Sequence, residues 1–111
     1  MEVLGSAQGL DNTDLTLTID IAESAGVKVS QVMVAYSAAV TEDVDVLLDS
    51  LLGEPFDVLL VKFVLESNRY GVWIPESECV LVAGDKLVIT APAGGAGITA
   101  TITVYGIRRL D

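Results

Sequence analysis

Hydrophobic and polar residues alternate with a period of two along most of this chain, the spacing that sends successive side chains to opposite faces of a β-strand. Leu15, Leu17, Ile19 and Ile21 alternate with Thr16, Thr18 and Asp20, which predicts a half-buried strand with β-branched residues on its wet face. Glu23-Ser24-Ala25-Gly26 breaks it. Val27 and Val29 open the next strand in one phase, and Val32, Val34, Tyr36, Ala38 and Val40 continue in the other. The slip near Ser30-Gln31 predicts a bulge, or two strands joined by a bend. Thr41-Glu42-Asp43 is expected to turn the chain into a strand carrying Val44, Val46 and Leu48. Leu47–Leu52 is Leu-rich enough to hold a helical turn. Gly53-Glu54-Pro55 is a turn, because proline cannot continue a central ladder.

Asp57–Leu65 is apolar on both faces. Leu59, Val61, Phe63 and Leu65 form one side, and Val58, Leu60 and Val64, interrupted by Lys62, form the other. A strand of that kind needs cover on both faces. After a turn at Ser67-Asn68-Arg69 come a short strand (Gly71–Ile74), a corner (Pro75–Glu78), a strand (Cys79–Val82), a tight turn (Ala83–Asp85) and another strand (Lys86–Thr90). A Gly-rich loop, Ala91–Ile98, leads to a clean alternation with Ile98, Ala100, Ile102 and Val104 inward. The loop is no phosphate cradle, since no GK[ST] follows and its flanks are strands.

These signals sum to about eight strands and no convincing helix. The fold class expected is all-β: an antiparallel β-sandwich, jelly-roll-like, over residues 15–111. Residues 1–14, rich in Gly, Ser, Asn, Asp and Gln, read as an extended N-terminal arm. It is either a disordered tail or a segment that adds to a neighbouring chain.

Composition sharpens this picture in three ways. The 111 residues suit one domain with one core. A 51% hydrophobic content with only 5% aromatic residues makes that core aliphatic, and so much apolar surface on so short a chain suggests cover by another subunit. The net charge of −10, from 16 acidic and 6 basic residues, argues against nucleic acid or an anionic membrane as partner and for a well-solvated surface. No basic, apolar leader opens the chain and no apolar run approaches a membrane span, so a soluble product made in a cytoplasm is expected.

The chemistry on offer is thin. There is no histidine, which removes the commonest general base and metal ligand together, and Cys79 is the single cysteine. Lys28 with Ser30 and Lys86 with Thr90 have dyad spacing, but residues two or four apart share a strand face in any case. Glu42-Asp43-Asp45 and Glu76 with Glu78 are carboxylate groupings without the spacing of a known calcium loop. Cys79, inside Cys-Val-Leu-Val, reads as a small buried hydrophobe. Tyr70 with Trp73 offers either a core or interface anchor or a sugar-stacking platform. No catalytic residues, metal or cofactor are assigned, and the chain reads as a non-enzyme.

The passage WIPESECVLVAGDKLVIT (residues 73–90) and its sequel ITATITVYGIRRL (residues 98–110) resemble small virion proteins of tailed bacteriophages. Those proteins pair a polar N-terminal arm with a β-sandwich of about this size. The resemblance covers about the C-terminal half of the chain. It implies a capsid decoration (cementing) protein on the outer capsid surface of the virion, a homo-oligomer with a trimer favoured, bound to the major capsid protein. On that expectation Val3, Leu4 and Leu10 of the arm meet the neighbour, and Leu60, Lys62 and Val64 form the subunit interface. Head–tail connector, tail or fibre subunits fit the same features. The alternative from another class is a carbohydrate-binding or adhesin-like sandwich using Tyr70 and Trp73.

Overall fold

The computed structural model of the chain describes residues 2–22, 26–49, 58–76 and 79–108. The break at Glu23–Ala25, the end of Leu47–Leu52, the turn at Gly53-Glu54-Pro55 and the far side of the Pro75–Glu78 corner lie outside them. The described residues form seven strands and no helix: β1 (Glu2–Gln8), β2 (Leu15–Asp20), β3 (Val27–Asp49), β4 (Val58–Trp73), β5 (Cys79–Leu81), β6 (Lys86–Ala91) and β7 (Ala100–Arg108). All pairings are antiparallel, in the order β1-β7-β3-β6-β2, with β4 and β5 on the other side of β3. The sheet curls until it is nearly closed into a barrel.

The architecture is simplest as four long segments. Residues 2–20 carry β1 and β2, residues 27–49 are β3, residues 58–81 carry β4 and β5, and residues 86–108 carry β6 and β7. The last segment lies between the first and second: β7 and β6 run end to end along one side of β3, and β1 and β2 run end to end along β7 and β6. Along the other side of β3 run β4 and then β5.

β3 spans 23 residues because its inward positions are apolar on both sides of the bend, with Glu42 alone interrupting them at the corner. Val27 and Val29 are buried, the ladder to β7 slips between Val29 and Gln31, and Val32, Val34 and Tyr36 are then buried in the shifted phase. The bulge expected from the change of phase is therefore present at Ser30. Ala38, by contrast, is exposed with Ser37 and Ala39 on the outside of the bend.

Two expected reversals are bends instead. β3 runs straight through Thr41-Glu42-Asp43, and β4 runs through Ser67-Asn68-Arg69. Turn-forming residues bend a strand as readily as they reverse it, and here ladder pairs on both sides, such as Asp43 with Val64 and Ala35 with Tyr70, hold the chain on course. Ser67 absorbs the bend with φ of 56° and donates its N–H to Thr41 Oγ1 at 3.2 Å, so the two corners lock to each other.

The arm is also part of the sheet. β1 pairs with β7 from Glu2 opposite Gly106 to Gln8 opposite Thr101, and Leu4 is buried in the core. Arg108 fastens it, donating to Glu2 Oε2 at 2.9 Å and to the Leu4 carbonyl at 3.2 Å. Gly5 has the Ile19 side chain directly over it, which brings β1 against β2 at the corner.

The core is aliphatic, as the composition requires. Val32, Val34, Val44, Val46, Ile89, Ile102 and Val104 are fully buried, each worth about 1.5–3 kcal/mol relative to exposure. At the bend of the first and last segments the connections pin one another. Asp11 Oδ1 accepts from the Gly97 N–H at 2.6 Å, Asp14 Oδ1 from the Ala93 N–H at 2.7 Å, and Ser37 Oγ from the Thr99 N–H at 3.0 Å. The Gly-rich loop is thus a structural corner.

Tyr36 sits beneath that loop and donates its hydroxyl to the Pro92 carbonyl at 2.8 Å. Burial, with the Glu42 and Asp14 carboxylates adding to it, pushes its phenol up to about 12. The folded state therefore holds its proton more tightly than the unfolded chain, whose phenol titrates near 10. That contribution to stability is complete below pH 10 and is lost as pH rises from 10 through 12. Urea melts across this window should fall more steeply for the native chain than for Tyr36→Phe, which has no phenol to ionise.

Candidate functional site

β4 is a strand of 16 residues that among the described residues pairs on one side only, to β3. Three of its four expected inward positions hold, and the fourth, Leu59, is 50% exposed. Phe63 and Leu65 are buried and Val61 packs against the core. Of the expected outward set, Lys62 and Val64 lie on the opposite face, whereas Leu60, at a slip in the ladder between Val61 and Leu59, packs against the core. Val64 is 60% exposed, Leu60 is half-buried, and the Lys62 amine stands 3.8 Å from Asp45 Oδ1 on the neighbouring strand. An exposed pair of that length contributes at most about 1 kcal/mol.

Beyond the Ser67 bend the same strand carries a second exposed apolar run. Tyr70 lies opposite Ala35 and Val72 opposite Met33, and Tyr70 is 65% exposed. Met33, Ala35, Tyr36 and Ser67–Tyr70 line an open groove of about 800 Å³. Trp73 is elsewhere: it lies opposite the fully buried Val32 and packs against the core. Three residues apart on a strand, Tyr70 and Trp73 face opposite ways, so they do not make one stacking platform. Met33 and Ala35 went unremarked in the sequence. The available signal was that they occupy the wet phase between Val32, Val34 and Tyr36 and yet are apolar.

The three arm residues separate as well. Leu4 is enclosed in its own chain, whereas Val3 and Leu10 are 50% and 75% exposed. A partner reaching the N-terminal segment as it stands would meet Val3 and Leu10.

The remaining candidates for chemistry are placed as follows. Lys86 pairs across strands with Asp20 at 3.8 Å, in the open. Glu42 shares the phase of inward-facing Val40 and Val44, while Asp43 and Asp45 take the outward one, so the three carboxylates do not converge. Among the described residues no three His, Cys, Asp or Glu side chains are grouped to hold a metal ion. Cys79 is half-buried opposite Val29, and burial pushes its thiol up, away from the reactive thiolate. Asp85 serves a turn, accepting from the Val82 N–H at 3.1 Å beside Gly84 at φ of 94°. No helix is long and apolar enough to cross a membrane among the described residues.

Comparison of the chain with protein-family models, with curated proteins and with solved structures gives no match.

Proposed function

We propose that this chain is a non-enzymatic structural subunit that acts by surface burial within a homo-oligomer. The observation that carries the reading is β4, a long strand with one edge unpaired among the described residues and with exposed Val64, Tyr70 and Val72 along it. Soluble proteins usually shorten, cover or charge such an edge. The narrower form of the reading follows the resemblance of residues 73–90 and 98–110. It is a decoration protein on the outer surface of a tailed-phage capsid, trimeric, bound to the major capsid protein. Repeated copies would multiply a modest contact into firm attachment.

The acidic surface supports this role by keeping the free subunit from associating indiscriminately. A second reading, a carbohydrate-binding domain, draws on the groove, where exposed Tyr70 stands with Ser67, Asn68 and Arg69. One pair of measurements separates them. Capsids assembled from the major capsid protein encoded nearest this gene should carry the added chain through sedimentation, and Val64→Arg should weaken that binding or the oligomer at least tenfold. A chain that leaves capsids bare, stays monomeric and binds oligosaccharides in a Tyr70-dependent way would establish the second reading in place of the first.

A further inference from the structure

The free edge of β4 carries a self-complementary pattern. Between Val61 and Leu65 the ladder to β3 is regular, with Lys62 and Val64 on the outer face and Phe63 and Leu65 on the inner one, and exposed Glu66 follows just before the bend at Ser67. We propose that two copies of this chain join edge to edge, antiparallel, through β4 with the two-fold axis at Val64. The inference rests on the homo-oligomer reading above and specifies one of its contacts.

The register follows from faces and charge. A second sheet added to this edge must keep outer residues opposite outer ones, which excludes any shift that sets Lys62 against Leu65. Centring on Phe63 or Leu65 leaves Lys62 opposite Val64 or Asn68 and pairs no charges. Centring on Lys62 sets like charges against each other. Centring on Val64 sets Lys62 against Glu66 of the second copy twice over, Val64 against its own counterpart, and Phe63 against Leu65 along the inner face. Cross-strand pairs of opposite charge and of apolar side chains are those that stabilise antiparallel sheets. Lys62 is free to serve, since its tie to Asp45 spans 3.8 Å and leaves its side chain 45% exposed.

A lysine on an edge strand also serves as a guard against pairing. The two roles predict opposite results. As a guard, Lys62 restrains association, so Lys62→Glu leaves it unchanged or increases it, and Glu66→Lys has no effect.

The regular seam is short compared with the ~800 Å² per partner of a typical stable interface, so the contact is weak and shows as a concentration-dependent doubling of mass. Sedimentation of the full chain up to millimolar concentration, at physiological salt to screen the −10 charge per chain, is the test. The native chain should double, from monomer to dimer or from trimer to hexamer. Lys62→Glu and Glu66→Lys should each reduce the association constant at least tenfold. The double exchange, Lys62→Glu with Glu66→Lys, should restore it. Amide exchange at residues 62–66 of the native chain should slow as concentration rises, a readout independent of any variant. Single variants that double like the native chain, or a double exchange that fails to recover while its melting curve shows it folded, overturn the seam. A trimer that never doubles overturns the seam and leaves the oligomer reading standing. A native chain that is monomeric throughout overturns both.

Discussion

Gly106→Ala is expected to destabilise the fold by about 2–3 kcal/mol, read as a fall in the urea midpoint with little change in slope. Gly106 lies in β7 between β1 and β3, opposite Glu2 on one side and Val29 on the other. A methyl group there would run into the Lys28 carbonyl oxygen and stand 2.5 Å from Leu4 Cδ1. The first obstacle is backbone held in the middle of a ladder, so it cannot swing aside as a surface side chain would. Relief requires β1 or β3 to move away from β7, and either movement opens the core above Ile102 and Val104. Glycine within a strand is often the mark of such a close approach. An unchanged midpoint for Gly106→Ala would mean that Leu4 does not lie over this position.

The second large effect concerns the N-terminus. Removal of residues 1–8 should cost several kcal/mol, a large part of the 5–15 kcal/mol that holds a typical domain together. The truncation takes away Leu4, the ladder to β7 and both hydrogen bonds that Arg108 makes to β1. Leu4→Ala alone should cost about 2–4 kcal/mol, the range for a truncated core leucine. A free arm behaves differently: cutting it removes partner binding and leaves the melting curve where it was. Thermal or urea unfolding of the shortened chain therefore decides between a strand and an arm before any partner is in hand.

That contrast shows where the sequence is informative. Strands with β-branched residues in strict alternation were legible: β2 from Leu15 to Asp20, β6 from Lys86 to Ala91 and the buried phase of β7 at Ala100, Ile102 and Val104. The bulge at Ser30 was legible as one of the two readings that a change of phase allows, the other being a bend between two strands. β1 was hidden, since Gly5, Ser6, Ala7 and Gln8 have low strand propensity, and what makes them a strand is β7, a hundred residues away in the chain. The corners at 41–43 and 67–69 were misread because local turn chemistry does not say whether a chain reverses or bends. For the candidate surface, the outward phase of Lys62 and Val64 was legible from the buried phase beside it, but the slip that packs Leu60 against the core and exposes Leu59 was not. The open edge was not, because a free edge is a property of strand order. The opposed faces of Tyr70 and Trp73, three residues apart, did lie within reach of the period-two rule.

The placement of the last segment has a consequence for synthesis. β1 and β2 find all of their ladder partners in residues 86–108, and one side of β3 depends on the same residues. On the ribosome, the long β3–β4 pair is the largest piece among the described residues that can assemble before residues 86–108 emerge. It waits with both long edges open, as does the N-terminal segment, and the sheet closes only when the final strands slide between them. Folding of this chain is thus set to a late step, once residues 86–108 are available, with many non-local contacts to close at once. A nascent copy is most open to pairing with another copy just before that step.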